Sequence, residues 1–148
     1  MSALSQKPLV LVAEDNEDHL LLTQVAFERA NVPVDLEWVR DGLDCMDYLL
    51  RRNGREAARR PDLLLIDIHM PRMSGVEVMQ QILKHDDLRA LPVIVLSTSD
   101  APSDVRMMYE LRVNSYMKKP VNFEQYTAAI AALSSYWFNT ALIPLSAR

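Results

Sequence analysis

Leu63, Leu64, Leu65 and Ile66 form an unbroken apolar run that stops at a single carboxylate, Asp67. A run without alternation, bounded by turn residues, suits a strand buried on both faces, as in a parallel sheet. Such a strand needs parallel neighbours and a helical layer on each side. Beyond Asp67 come a Met-Pro step, Met70-Pro71, and a glycine, Gly75. Asp67 therefore falls where the chain leaves the dry sheet for a loop. In open α/β sheets the rim at the carboxyl ends of the strands is where ligands and chemistry sit. One aspartate there is a weak signal, and its weight depends on how the other strands end.

Leu9 to Ala13 (LVLVA) is a second continuous run, and it ends in Glu14, Asp15, Asn16, Glu17 and Asp18. Asn16 or Asp18 can cap the helix that follows, and acids in a first turn complement the helix dipole. Leu22, Val25 and Ala26 carry that helix to about Ala30, where Asn31 and Pro33 end it. Val34 to Val39 alternates in part and reads as a short strand. Asp41-Gly42 reads as a turn, and Leu43 to Arg52 as a helix with Cys45, Met46, Leu49 and Leu50 as its apolar set. Residues 51–60 hold five arginines. A charge run of this kind predicts a solvated loop, with a docking patch for an acidic partner as the other reading.

After Gly75, the residues Val76, Met79, Ile82 and Leu83 predict a helix to about His85. Pro92 opens an apolar strand, Val93 to Leu96, that ends in Ser97, Thr98 and Ser99. Asp100 and Pro102 start the next helix, which carries Val105, Met108, Tyr109 and Leu111. Ser115 to Lys118 is a last short strand, followed by Lys119-Pro120. Asn122 caps a final helix buried through Ala129, Ile130 and Leu133, and Gln125 stands where a capping box would place it. Strand and helix thus alternate five times. That order implies an α/β fold, a doubly wound parallel sheet with helices on both faces. Right-handed crossovers put every strand's carboxyl end on one rim.

The composition narrows the classes. A net charge of -4 argues against a nucleic-acid footprint. The single cysteine, Cys45, excludes an internal disulfide and reads as a small buried hydrophobe. MSALSQK lacks the basic and apolar regions of a signal peptide. No apolar run approaches the roughly 20 residues that span a bilayer. The expectation is a cytoplasmic single domain over residues 1–148, with a core from about 8 to 136 and an apolar extension from 137 to 148.

On the rim, the strand ends bring Glu14, Asp15 and Asp67, the hydroxyls of Ser97 and Thr98, and the Lys119 ammonium. Three carboxylates held together repel, and a divalent cation is the usual remedy. All-oxygen ligation suits Mg2+. Phosphoryl transfer asks for these parts: a nucleophilic oxygen, a metal, and donors for the equatorial oxygens. A carboxylate can carry a phosphoryl group covalently, so Asp67 is the candidate nucleophile. Ser97 and Lys119 are the candidate phosphoryl donors.

These residues resemble the receiver domain of two-component response regulators, from residue 8 to about 136. The acidic pair matches Glu14-Asp15, and the phosphoacceptor with its Met-Pro and glycine matches Asp67, Met70-Pro71 and Gly75. The switch hydroxyl, five residues after Pro92, falls on Ser97 rather than Thr98. The lysine before a cis-like proline matches Lys119-Pro120, and the switch aromatic three residues earlier matches Tyr116. The resemblance implies a flavodoxin-like (βα)5 fold with strand order 2-1-3-4-5, Mg2+ dependence, and phosphoryl transfer from a sensor histidine kinase. It implies a phosphoacceptor rather than an enzyme. At His69 it implies a main-chain carbonyl for the metal and a solvent-facing side chain that tunes dephosphorylation. EDNEDH, the arginine-rich loop, TSDAPSD, NSYMKKPVNFEQY and the YWF tail are similar to single-domain regulators partnered with phytochrome-type kinases. Arg112-Val113 departs from the family, since many receivers have Gly-Ala there. A glycine would end the fourth helix in a left-handed conformation, so that end is expected to be built differently.

No effector domain is expected after residue 148. The expected outputs are an unknown downstream protein, a homodimer or onward transfer, with no nucleic acid and no membrane. The family signals through the face of its fourth helix, fifth strand and fifth helix. There Met107, Met108, Tyr116, Tyr136, Trp137 and Phe138 could form an interface patch or close the core. Three rival readings are weaker. A flavin or nucleotide binder would need a glycine-rich loop after the first strand. A phosphatase of the haloacid-dehalogenase kind would need an acid at His69. A phosphorylation-independent binding module would not need the complete acid-hydroxyl-lysine set.

Overall fold

The computed structural model describes residues 7–144. Five parallel strands form one sheet: β1 (Leu9–Ala13), β2 (Asp35–Val39), β3 (Leu63–Ile66), β4 (Val93–Ser97) and β5 (Ser115–Lys118). Their order is β2-β1-β3-β4-β5, the flavodoxin-like arrangement. The helices between and after them are α1 (Glu17–Ala30), α2 (Gly42–Leu50), α3 (Gly75–Ile82), α4 (Pro102–Glu110) and α5 (Phe123–Ser135). A short 3-10 turn, Asp86–Leu88, precedes β4, and one π turn, Tyr136–Thr140, continues α5.

The continuous apolar runs occupy the centre of the sheet, where every residue of β1, β3 and β4 is buried. Successive side chains point to opposite faces and feed two layers. Leu11, Leu64, Ile66 and Val95 pack with Met46, Met79, Ile82 and Met108 of α2, α3 and α4. Val10, Val12, Leu65 and Ile94 pack with Phe27, Tyr126 and Ile130 of α1 and α5.

Local chemistry sets the helix ends. Asn16 caps α1 by accepting from the amides of Asp18 and His19. Asn122 caps α5 by accepting from Gln125. Ser74 and Glu77 form a reciprocal capping box on α3. Asp41-Gly42 is not a separate turn: Asp41 is the N-cap of α2 and accepts from the Asp44 amide at 2.8 Å. A Cβ on Gly42 would lie 2.1 Å from the Met73 carbonyl, so only glycine fits against that loop. α3 stops at Ile82, short of His85. The Lys119-Pro120 peptide is not cis.

Arg112 is the clearest departure from expectation. Its φ is 73°, so the left-handed turn after α4 is kept without glycine. The Val113 amide donates to the Met108 carbonyl at 3.2 Å and the Arg112 amide to Tyr109 at 3.0 Å. That pair of bonds is a Schellman motif, and it holds the backbone against the preference of the residue.

The arginines of 51–60 are mostly neutralised within the chain. Arg52 pairs with Asp47, Arg55 with Asp44, Arg59 with Asp35, and Arg60 with Asp87. The segment is a braced loop rather than a free basic patch. Among the described residues no helix is long and apolar enough to cross a membrane. The start of MSALSQK and the last four residues of the apolar tail lie outside the described residues.

Candidate functional site

The ladders run one residue past each strand and fix the rim. The Asp67 amide donates to Ala13 at 3.1 Å, the Glu14 amide to Val39 at 3.0 Å, and the Lys119 amide to Ser97 at 2.7 Å. Carboxylate oxygens of Glu14, Asp15 and Asp67 then lie within 4.8 Å of one another. Glu14 is buried, Asp67 half-buried and Asp15 exposed. Gly75 lets the loop after β3 fold back beside Asp67, because a Cβ there would stand 2.6 Å from the Asp67 carbonyl.

Lys119 reaches into this group from the end of β5. Its buried ammonium donates to Glu14, and to Asp67 Oδ2 at 3.0 Å. It also meets His19 Nδ1 at 2.9 Å. Burial alone would lower the lysine's pKa, but the two carboxylates outweigh it and hold the pKa above its ordinary value. Burial raises Glu14, with Lys119 pulling the other way. Three carboxylates face one ammonium, so the rim keeps an excess of negative charge on oxygen donors. This donor set fits a divalent cation of the Mg2+ type.

The hydroxyl side of the rim is joined through a residue the sequence reading passed over. Ser97 is buried while Thr98 is exposed. Ser97 Oγ accepts from the Ser99 amide at 3.2 Å, and the Tyr116 hydroxyl donates to the Ser99 carbonyl at 2.8 Å. Ser99 Oγ in turn donates to Asp104 at 2.6 Å. The His69 side chain is 68% exposed, and its Nε2 lies 4.0 Å from Asp104. Its amide lies 3.3 Å from Asp67 Oδ1. Ser99 and His19 had only faint signals: a serine before Asp100-Ala-Pro, and a histidine inside the EDNEDH run.

The six residues named for an interface do not share one surface. Met107 and Tyr136 are exposed. Met108 is fully buried and drops out of the patch, because its place on α4 faces the sheet. Tyr116 packs against that same layer, whereas Trp137 and Phe138 pack against the opposite one. The tail residues thus partly close the core, as the other reading had it.

An aspartate at the end of a central strand thus stands with two acids, a hydroxyl and a lysine on one rim. A family model described as response regulator receiver domain matches residues 10–131, and the chain belongs to that family. Among its relatives are regulators of different physiology. It is 39% identical over 129 residues to a probable methanogenesis regulatory protein, FilR2, of Methanothrix harundinacea (87% of this chain, 83% of that one). It is 34% identical over 145 residues to response regulator Rcp1 of a Synechocystis species (97% of this chain, 99% of that one). A crystal structure of Rcp1 with Mn2+ bound superimposes with a TM-score of 0.87 at 33% identity, covering 93% and 99% of the two chains. The phosphorylated cyanobacterial phytochrome response regulator RcpA gives 0.89 at 35% identity, with the same coverage. Receiver domains of this family are phosphorylated on an aspartate, bind a divalent metal at an acidic pocket and receive the group from histidine kinases.

Proposed function

We propose that this chain is a cytoplasmic response regulator receiver that accepts a phosphoryl group on Asp67 from a sensor histidine kinase of the phytochrome type. The carrying observation is the contact of Lys119 with Asp67 inside the Glu14-Asp15-Asp67 group. The phytochrome assignment is supported by likeness to Rcp1 and RcpA along nearly their whole length.

Asp15, Asp67 and the His69 main-chain carbonyl, with Glu14 through water, are the groups that would hold Mg2+. Bound there, the metal neutralises the carboxylates and offsets charge on the phosphoryl oxygens. An Asp67 carboxylate oxygen attacks the phosphorus of a phosphohistidine. The P–O bond forms as the P–N bond breaks, and the imidazole leaves with the electron pair. Lys119 and Ser97 then hold the oxygens of an acyl phosphate that carries nearly two negative charges where the free carboxylate carried one. A swing of Ser97 toward the group would draw its Oγ away from the Ser99 amide. The Ser99 carbonyl also accepts from Tyr116, so a shift of this segment would carry the tyrosine's anchor with it. The face of α4, β5 and α5 then changes its affinity for a downstream protein or a second copy, as a population shift between two states.

The test is phosphoryl incorporation. Parent and Asp67→Asn are incubated with Mg2+ and acetyl phosphate, and intact mass is read. One added phosphoryl group on the parent alone is expected. No label on a folded, metal-competent parent would favour the phosphorylation-independent binding module. Transfer from a phytochrome-type kinase, faster than from an unrelated histidine kinase, is the expected result for the partner.

A further inference from the structure

We propose that His19 is a positioning residue of the phosphoryl site: it takes the third hydrogen bond of the Lys119 ammonium and so sets that group between Glu14 and Asp67. The proposal rests on the reading of Asp67 as phosphoacceptor.

An ammonium has three N–H donors and no acceptor. At Lys119 one goes to Glu14, one to Asp67 Oδ2 at 3.0 Å and one to His19 Nδ1 at 2.9 Å. The Lys119 side chain is only 3% exposed, so water cannot replace a missing partner freely. Because the lysine only donates, His19 Nδ1 is the acceptor of this contact. A third carboxylate would hold the ammonium against the phosphoryl group. An apolar side chain would leave a buried N–H unpaired, or let the ammonium sink onto Glu14. A neutral acceptor satisfies the third donor, adds no charge, and leaves the ammonium free to turn toward the incoming oxygens.

The residue is also held at both ends of its peptide unit. The His19 amide donates to Asn16 Oδ1 at 3.1 Å. The His19 carbonyl accepts from Thr23 Oγ1 at 2.9 Å. Thr23 Oγ1 then accepts from the Tyr126 hydroxyl at 2.8 Å, since its own proton is spent on His19. The first turn of α1 is thereby tied to α5 beneath the rim. The imidazole stands at the mouth, a third exposed, with Nδ1 3.9 Å from Glu14. Geometry of this kind does not need His19 to touch the phosphoryl group. It acts through Lys119.

The test compares His19→Leu with His19→Asn in the full chain, Mg2+ and acetyl phosphate in excess, with the rate of phosphoryl uptake on Asp67 as readout. Asparagine places its Oδ1 where Nδ1 stands, whereas leucine fills the space without an acceptor. Losing one charge-assisted hydrogen bond predicts about tenfold slower uptake for leucine. Asparagine is expected to restore the rate to within about twofold. Should the leucine variant fail to fold, His19→Ala carries the same comparison. A labelled parent with leucine at the parental rate, or asparagine as slow as leucine, overturns the proposal alone. A parent that takes up no label overturns the reading of Asp67, and the proposal falls with it.

Discussion

Replacing Arg112 by glycine is expected to stabilise the protein, although it removes a long side chain from the surface. The residue sits at φ 73°, where its Cβ crowds the following carbonyl. That conformation costs a non-glycine residue about 1–2 kcal/mol. Glycine removes the cost but raises the entropy of the unfolded chain, which takes back about 0.5–1 kcal/mol. Arg112 makes no ion pair among the described residues, so little else is lost. The two Schellman bonds, from Val113 to Met108 and from Arg112 to Tyr109, use only the backbone and survive the change. The net gain is about 0.5–1 kcal/mol, or roughly 2–3 °C in a domain of this size. Urea unfolding of parent, Arg112→Gly and Arg112→Ala measures it. The glycine variant should show a higher midpoint at unchanged slope. Alanine keeps the Cβ and should show no gain. Equal midpoints for glycine and alanine would mean that the left-handed backbone carries no strain here, and the reasoning would be wrong.

Mg2+ at about one hundred times its dissociation constant should stabilise the fold by about 2.7 kcal/mol, and a thermal scan of Asp15→Asn should lose most of that shift. Asp41 both caps α2 and binds Arg72 at 2.8 Å, tying the loop after Asp67 to α2. Asp41→Ala should therefore cost about 1–2 kcal/mol by chemical denaturation. Arg72→Ala, which loses only a half-exposed ion pair, should cost under about 1 kcal/mol. Burial pushes the Cys45 thiol well above its ordinary pKa. A thiol reagent at pH 8 should leave it unmodified in the native protein and label it only as the chain unfolds, and fast native labelling would contradict its packing.

The parallel sheet explains what the sequence could and could not disclose. Asp67, Glu14 and Ser97 directly follow apolar runs, Asp15 stands one residue further on, and Lys119 follows the short last strand, so the strand ends announced the rim. The fold needed only the order of those runs. His19 was hidden because its partner is Lys119, and nothing local to α1 points across the sheet to the end of β5. Met108 was misplaced for a related reason: an apolar residue on an amphipathic helix can face the sheet or a partner, and only packing decides. Arg112 shows local preference losing to backbone hydrogen bonds at the end of α4.

Ser99 carries the last step, because its amide and its carbonyl serve Ser97 and Tyr116 separately. Ser97 Oγ accepts from the amide and Tyr116 donates to the carbonyl. The segment that meets Ser97 therefore also anchors Tyr116. The link between the end of β4 and α4 is short. It is built into one residue at the end of β4, whose side chain is held in turn by Asp104 in the first turn of α4. The first turn of α4 and the Ser97 hydroxyl are therefore fastened to the same short loop.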